Sequence, residues 1–403
     1  MSIQNPTLIA ILALTATSLV PTSALGAKST KLKKLDVSSL SIEVAGGICA
    51  GQDTQVSVVA ELGDGTTLRT VDADGSKGGL RKKDFDVTVD LGDLSGPNRL
   101  FVENTGDLLD RSVKLDVSAK SQPLSATASL PIGFACDVAL DYSADGTPGA
   151  RWVPPHSERD IAEIEAHREA TGKMGPRFKD IARAVLPVGY AIDNIKNAKP
   201  ALKGAAGSAG ANGGPGGDGD VGDIGSDGNS GANGHDLIVE VTQVSTAEGQ
   251  PLALVSIAAD TGSERTVLID AAAGGQLLLV ARGGVGGKGG KGGKGGNGGA
   301  GTYEINEGQG GDGAAGGPGG AGGRGGDGGS VQVRYDRSVP ALANVVQGDV
   351  AGGMGGSGGN GGEFGSSGQG AEGASSGNMG STESATGPAG PDGSPGRFTS
   401  VAR

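Results

Sequence analysis

Residues 283–299 read GGVGGKGGKGGKGGNGG, so two of every three residues in this stretch are glycine. Glycine loses more backbone freedom on ordering than any other residue, and it brings no side chain to a core. The chain nevertheless contains 81 glycines among 403 residues, many of them in strict register. The stretch is therefore either a flexible linker or a segment whose lack of side chains is what lets it pack.

The same register recurs along the C-terminal half of the chain. Glycine occupies every third position from 204 to 234, and two of every three positions from 283 to 301. The two-in-three pattern returns at 310–329 and at 352–362. It breaks at Glu363-Phe364 and continues as looser triplets to Gly396.

Three structures compete for such tracts. A disordered linker has no reason to keep a strict period of three. A collagen triple helix needs proline at roughly 15–20% or more, whereas Pro215 is the single proline of the first tract. The remaining structure is polyglycine II, a bundle of extended helices with three residues per turn. Their N–H and C=O groups point sideways and can pair with neighbouring helices.

In such a bundle each position of the triplet lies on one face of the helix, because there are three residues per turn. A tract with one glycine position is expected at the periphery, and a tract with two is expected in the interior. Lys288, Lys291 and Lys294 are then predicted to form one outward row with a spacing of ~9 Å. The tracts 283–301 and 310–329 resemble the arms of a hairpin joined by TYEINEGQ, each about 60 Å long.

Short apolar pieces between the tracts predict a small β-sheet at one end of the bundle, because they are rich in β-branched and aliphatic residues. These pieces are Leu237–Val244, Pro251–Ala258, Arg265–Asp270, Gln276–Ala281 and Val331–Tyr335.

Residues 27–143 show apolar alternation with period two, as in Val113, Leu115 and Val117 or in the run Ile132–Leu140. Gly63-Asp64-Gly65 predicts a hairpin turn between two such runs. Six or seven half-buried strands in this length predict an immunoglobulin-like β-sandwich. Cys49 and Cys136 are predicted to form a disulfide that joins an early strand to the last one. Closing that loop contributes ~4 kcal/mol in the chain-entropy model.

The N-terminus predicts export. An apolar stretch, Leu8–Val20, is followed by Pro21 and by the small-x-small sequence Ala24-Leu25-Gly26, which indicates a signal peptide over 1–26. No later segment is apolar enough to span a bilayer, so the expected localisation is secreted or at the cell surface.

Residues 144–203 predict a helical connector, with one helix over Glu158–Thr171 and a second that begins at Pro176. His156 and His167 lie in this connector. Because no third ligand converges on them, the sequence favours exposed histidines over a metal site.

The triplet register over about residues 200–396 resembles the glycine-rich bundles of phage tail-tip adhesins, the snow-flea antifreeze protein and the glycine-rich domain of Obg-type GTPases. The whole chain is similar to bacterial exported proteins that pair an immunoglobulin-like module with such tracts. This resemblance implies architecture and transfers no catalytic or binding residue.

The predicted fold is thus mainly β and extended. It comprises the β-sandwich over 27–143, the connector over 144–203, and a polyglycine II bundle with interspersed strands over 204–403.

The composition and motifs favour a non-enzymatic structural or adhesive role. The net charge of -12 argues against a nucleic-acid partner. No nucleophile elbow, Walker loop or HExxH motif occurs in the sequence. The predicted partner is an extracellular surface, glycan or protein that contacts the bundle-tip loops Thr302–Gln309 and Phe364–Thr386, because loops on a stiff scaffold carry binding.

The alternative is a secreted protein that binds calcium, ice or a small ligand. Calcium would use the aspartates of the first tract, but solvated charges are the favoured interpretation because calcium needs six to eight converging oxygens. An ice-binding surface would need a flat row of small residues, and the third positions hold Lys, Asp, Arg, Met and Pro. The four calcium candidates are Asp218, Asp220, Asp223 and Asp227.

Overall fold

The computed structural model describes residues 31–44, 46–70, 79–95, 99–146, 148–151, 201–304, 306–381 and 384–403. These residues form 18 β-strands, five short 3-10 helices and long extended glycine-rich segments. The prediction of a mainly β and extended protein is therefore confirmed. The predicted signal peptide, both predicted connector helices, His156 and His167 lie outside the described residues.

Two sheets form the N-terminal part of the described chain. One has the order β1-β3-β7-β6 with β4 paired to β3, and the other has the order β2-β9-β8-β5. Their strands are β1 (Val37–Val44), β2 (Ile48–Cys49), β3 (Asp53–Leu62), β4 (Thr67–Arg69), β5 (Phe85–Val89), β6 (Asp93–Ser95), β7 (Arg99–Phe101), β8 (Ser112–Ala119) and β9 (Ser125–Gly133).

Period-two burial explains these strands. Val113, Leu115 and Val117 of β8 are buried and alternate with more exposed residues, so one face of the sheet builds the core. The predicted hairpin turn at Gly63–Gly65 is present, because β3 and β4 pair antiparallel around it and Gly65 has a φ of 81°. Short 3-10 helices occur at Leu32–Lys34, Lys82–Asp84 and Gly106–Leu108.

Two further sheets form the C-terminal part. Their orders are β11-β10-β15-β17 and β14-β13-β12-β16-β18. A common core of buried residues joins them, including Leu140, Val239, Val255, Leu279 and Val333. The 3-10 helices here are Asn306–Gly308 and Pro340–Asn344. The strands are β10 (Val138–Asp141), β11 (Ala150–Arg151), β12 (Leu237–Ser245), β13 (Pro251–Ala259), β14 (Glu264–Ile269), β15 (Leu277–Val280), β16 (Val331–Tyr335), β17 (Val346–Asp349) and β18 (Phe398–Ala402).

The run Ile132–Leu140, predicted as one strand, is two strands in different sheets. The first half ends β9, and the second half is β10, which pairs in parallel with β15. Phe134 packs in an N-terminal core, whereas Leu140 packs in the C-terminal core. Apolar and polar residues keep alternating between β9 and β10 because the pattern depends on which residues are buried. Burial alone does not show which sheet a strand joins.

Residues at both ends of the predicted connector belong to other elements. Residues 144–146 and 148–149 form turns, and residues 150–151 form β11, which pairs with β10. Ala201 already donates to the carbonyl oxygen of Val285 (3.0 Å), within the glycine-rich part.

Cys49 and Cys136 lie at disulfide distance, with Cα atoms 6.2 Å apart. Cys49 ends β2, which pairs with β9, and Cys136 lies three residues beyond the end of β9. The pair therefore fixes the link through which the chain leaves the N-terminal sheets.

The N-terminal sheets pack against the edge of the C-terminal part. Leu252 and Leu268 join the N-terminal core. The buried Asn104 side chain donates to the carbonyl oxygen of Leu268 (2.8 Å) and accepts from its N–H (2.9 Å). The Asn104 side chain thus satisfies both backbone groups of Leu268, as a neighbouring strand would.

Six extended segments make up the described glycine-rich part, and we number them one to six along the chain: 201–214, 217–236, 282–301, 310–330, 350–370, and 375–381 with 384–397. Segments one, three and five run parallel; for example, Gly204 donates to Lys288, and Gly283 donates to Ala351. Segments two, four and six also run parallel to one another, and consecutive segments are antiparallel. The six segments therefore form two layers of three, which we call the odd layer and the even layer.

The first glycine tract folds back on itself instead of forming a single rod. It turns at Pro215-Gly216, where Gly216 has a φ of 67°, and Asp220 then donates to Ala211 (2.9 Å) across the turn. Glycine at every third position continues through this turn, so the register alone cannot show it.

Segments three and four lie in the interior of the two layers. Each hydrogen-bonds to four other segments, and each has glycine at two of every three positions. An ideal Cβ on Gly293 would lie 1.8 Å from the oxygen of Ser208, and one on Gly317 would lie 1.9 Å from the oxygen of Asp223. The glycines are required because backbone packs directly on backbone.

The two layers continue the two C-terminal sheets. Segments two, four and six lead into β12, β16 and β18, which are neighbours in one sheet. Segments three and five follow β15 and β17 of the other sheet. Apolar side chains separate the two sheets. In the glycine-rich layers the facing positions have no side chains, and direct backbone hydrogen bonds such as Gly329 to Ala281 (2.8 Å) join the layers.

Candidate functional site

The glycine-rich layers offer three surfaces: a distal end and two outer faces. The distal end holds the turns that join the segments in pairs. These turns are Pro215-Gly216, the described residues of the loop Thr302–Gln309 and the turn Ala371–Ala374. Because segments one, three and five are parallel and in register, all three turns lie at the end opposite the sheets.

Two of the distal turns form one continuous surface. Ala371 donates to the carbonyl oxygen of Gly308 (2.8 Å), which ties the last turn to the loop before segment four. Gly308 has a φ of 80°, and an added Cβ there would lie 3.2 Å from the Tyr303 ring. Tyr303 is 66% exposed, so it projects an aromatic ring from this packed surface.

The predicted loop Phe364–Thr386 is mostly not a loop. Gly365 and Gly368 donate to segment four, and Gly377 and Gly380 donate to segment five. Side chains such as Phe364 interrupt the two-in-three pattern, but glycine still recurs in the register at 365 and 368 and again at 377 and 380. One bare face is enough to keep this stretch within the layers, and Ala371–Ala374 is its only described turn.

The odd face, the outer face of segments one, three and five, carries the lysine row. Lys288, Lys291 and Lys294 are all exposed on segment three. Lys291 donates to Glu363 of segment five at 2.8 Å. This hydrogen bond and the Lys291 charge, with a smaller contribution from the Lys294 charge, hold the pKa of Glu363 below its usual range.

Lys203 belongs to the same face, which sequence reasoning missed. Asn297 donates its N–H to the Asn212 side chain (3.0 Å), and this bond fixes the register of segments one and three. Three triplets earlier, the same register sets Lys203 beside Lys288. Both lysines line a shallow concavity of about 510 Å³ that reaches across the odd face to Ser357. The signal in the sequence was the equal spacing of Lys203–Asn212 and Lys288–Asn297.

The even face, the outer face of segments two, four and six, carries regularly placed aspartate and asparagine side chains. Each of several such side chains accepts the outward N–H of the next segment in its layer. Asp218, Asp227, Asn233 and Asp236 accept from segment four at distances of 2.7 to 2.9 Å. These side chains complete the hydrogen bonding of segment four at its outer surface.

The four predicted calcium candidates divide between two positions of the triplet. The carboxylates of Asp218 and Asp227 accept the N–H groups of Asp312 and Ala321. Asp220 and Asp223 are exposed, and their N–H groups bond to segment one. Among the described residues, no group of three or more His, Cys, Asp or Glu side chains is placed to hold a metal ion.

Comparisons with protein-family models, with curated proteins and with solved structures find no match. Over the residues that the structure describes, no helix has the length and apolar character needed to cross a membrane.

Proposed function

We propose that this chain is a non-enzymatic, exported structural or adhesive protein that holds binding surfaces on a rigid glycine-rich projection. In this proposal the six segments are polyglycine II helices, and β1–β9 form an immunoglobulin-like sandwich at the base. Export rests on the apolar sequence at 1–26. The observation that carries the proposal is the gathering of all three turns at the end opposite the sheets.

The hydrogen bonding supports a stiff projection. Segments three and four each bond to four neighbours along their whole length, so bending one segment breaks bonds to several others. The projection would extend about 60 Å at the rise of an extended helix. Loops held on a rigid scaffold are well suited to recognition, because little ordering entropy is lost when they bind.

The sheets support an anchoring role for the opposite end. The core between the C-terminal sheets begins where the glycine segments end, and the N-terminal sheets share a second core with β13 and β14. The ion pair of Arg265 with Glu103 (2.8 Å) adds a contact between the two parts. The base and the projection therefore behave as one body in this proposal.

Attachment assays test the proposal. The full chain on beads is exposed to bacterial cells, immobilised glycans and protein-coated surfaces. We expect attachment to at least one of them, and we expect Tyr303→Ala to weaken it. Ile224→Ala is the matched control, because Ile224 is 64% exposed on the even face and lies three triplets beyond the turn at Pro215-Gly216. Equal attachment of the two variants would show that the distal end is not the binding surface. Failure of the wild type to attach to any surface would refute the proposed function.

A further inference from the structure

The lysines of the glycine-rich part are concentrated on one face. Residues 201–403 contain four lysines, Lys203, Lys288, Lys291 and Lys294, and all four belong to segments one and three of the odd layer. The whole chain has a net charge of -12. A cationic row on an acidic protein is a local reversal of sign, and such a reversal favours an anionic ligand at that place.

The row is linear and rigid. The lysines of segment three are three residues apart, so their Cα atoms are spaced by ~9 Å. The backbone at each lysine is fixed, because the carbonyl oxygens of Lys288, Lys291 and Lys294 accept from Gly204, Gly207 and Gly210. The charges therefore keep a fixed direction and period, although each side chain can still adjust its tip.

Small side chains flank the row on both sides. Ala206 and Ala209 lie on segment one, and Ser357 and Asn360 lie on segment five, all of them exposed. The shallow concavity beside Lys203 and Lys288 opens one end of this strip. Towards the sheets the same rows carry the exposed Met354 and Val285, so the part of the strip with small neighbours is the part beside Lys288 and Lys291, where an extended polymer could lie.

We propose that the odd face binds a linear acidic polysaccharide, with its carboxylates aligned along the lysine row. The inference rests on the proposed adhesive function and names its ligand class. The lysine period of ~9 Å is longer than one sugar unit, so carboxylates that are not adjacent along one polymer chain can reach successive lysines. Several weak contacts on one polymer act together, because each later contact forms within a molecule that is already bound.

Other polyanions fit the row less well. Duplex nucleic acid carries a phosphate every ~3.4 Å along each strand, so most of its charges would face no lysine. A bilayer presents charge in two dimensions, whereas the row on segment one adds only Lys203, and Glu363 in the row on segment five would face the anionic surface.

Glu363 makes the proposal more specific. Its carboxylate oxygen forms an ion pair with the Lys291 ammonium group at 2.8 Å. It therefore competes with a ligand carboxylate for that ammonium group. Glu363→Gln removes the competing charge and keeps the side-chain shape. The proposal therefore requires this variant to bind the polymer more tightly than the wild type.

Binding of the full chain to polygalacturonate, a linear polymer with one carboxylate per sugar, tests the inference. We expect the triple variant Lys288→Ala, Lys291→Ala, Lys294→Ala to lose at least about tenfold in affinity, which is of the order expected when several charged contacts are removed. Glu363→Gln should gain about twofold, and binding should weaken as salt is raised. The control, Lys33→Ala, Lys34→Ala, Lys83→Ala, removes the same charge from exposed N-terminal positions and should match the wild type.

Four results would overturn the inference: triple-variant affinity within about twofold of the wild type, weaker binding by Glu363→Gln, equally tight binding of monomeric galacturonate, and equally tight binding of anionic vesicles or single-stranded DNA. Circular dichroism of each variant verifies that the fold is kept. If the wild type attaches to surfaces but not to polygalacturonate, the inference fails and the proposed function stands. If it attaches to no surface at all, the proposed function fails as well.

Discussion

Replacing Gly293 by alanine should be among the most damaging small changes in this protein. The added Cβ would lie 1.8 Å from the oxygen of Ser208 and 2.9 Å from the nitrogen of Asp223. These two atoms are the acceptor and the donor of the hydrogen bond between segments one and two at this level (2.9 Å). A non-bonded carbon and oxygen do not approach this closely, so segment one would have to shift by more than about 1 Å.

The cost follows from the bonds that such a shift disturbs. Around this triplet they are the Asp223–Ser208 bond, Gly293 to Asp223 (2.7 Å), Gly207 to Lys291 (2.9 Å) and Gly210 to Lys294 (2.8 Å). Each bond contributes about 1 kcal/mol net. Alanine recovers about 0.4–1 kcal/mol, because it restricts the unfolded chain more than glycine does. We expect Gly293→Ala to lower the free energy of unfolding by about 2–4 kcal/mol.

Gly214→Ala is the matched control. An added Cβ at Gly214 meets no atom within 4 Å, and its backbone lies outside the left-handed region. We expect its free energy of unfolding to stay within about 0.5 kcal/mol of the wild type. Urea unfolding followed by far-ultraviolet circular dichroism measures both variants. Equal midpoints for the two variants would refute the claim that glycine is required by direct backbone contact.

Three further predictions concern the side chains around the layers. Asp227→Ala should speed amide exchange at Ala321, whose N–H loses its acceptor at 2.7 Å, whereas Asp227→Asn should retain protection because Asn233 serves the same role at 2.9 Å. Partial burial alone would raise the pKa of Asp349, but Arg282 outweighs it and lowers that pKa below 3.8. Asp349→Asn should thus cost roughly 1 kcal/mol at pH 7, and this difference should shrink as the pH falls through the lowered pKa; a difference that does not change as the solution is acidified would contradict the assignment. Replacing Cys49 and Cys136 by alanine should lower the free energy of unfolding by ~4 kcal/mol, measured by urea unfolding. Unchanged stability would contradict the stabilising role of this disulfide.

The period of the glycine tracts carried much of the architectural information. It indicated that 283–301 and 310–329 are antiparallel neighbours and that Lys288, Lys291 and Lys294 form an exposed row. Both features follow from local chemistry, because a position without a side chain can only be useful where another backbone approaches.

Other features depend on long-range pairing that local pattern does not encode. The turn at Pro215 leaves the glycine register unbroken, so the sequence does not show it. Apolar residues alternate in β10 as they do in β9, although β10 joins another sheet. The predicted recognition loop from Phe364 was too long, because one glycine position per triplet is enough to remain in a layer. The bridging role of Asp218 and Asp227 becomes visible only when the neighbouring segment is known.

Backbone groups of the glycine segments pair laterally with neighbouring segments along their length. Amide hydrogen exchange across residues 283–329 of the full chain tests this pairing most directly. Gly286, Gly289, Gly292 and Gly295 donate to segment five, and Gly317, Gly320 and Gly323 donate to segment three. We expect these amides to exchange far more slowly than in an unstructured peptide of the same sequence, and we expect the loop around Tyr303 to exchange faster than they do. Exchange throughout 283–329 at the unstructured rate would contradict the lateral pairing.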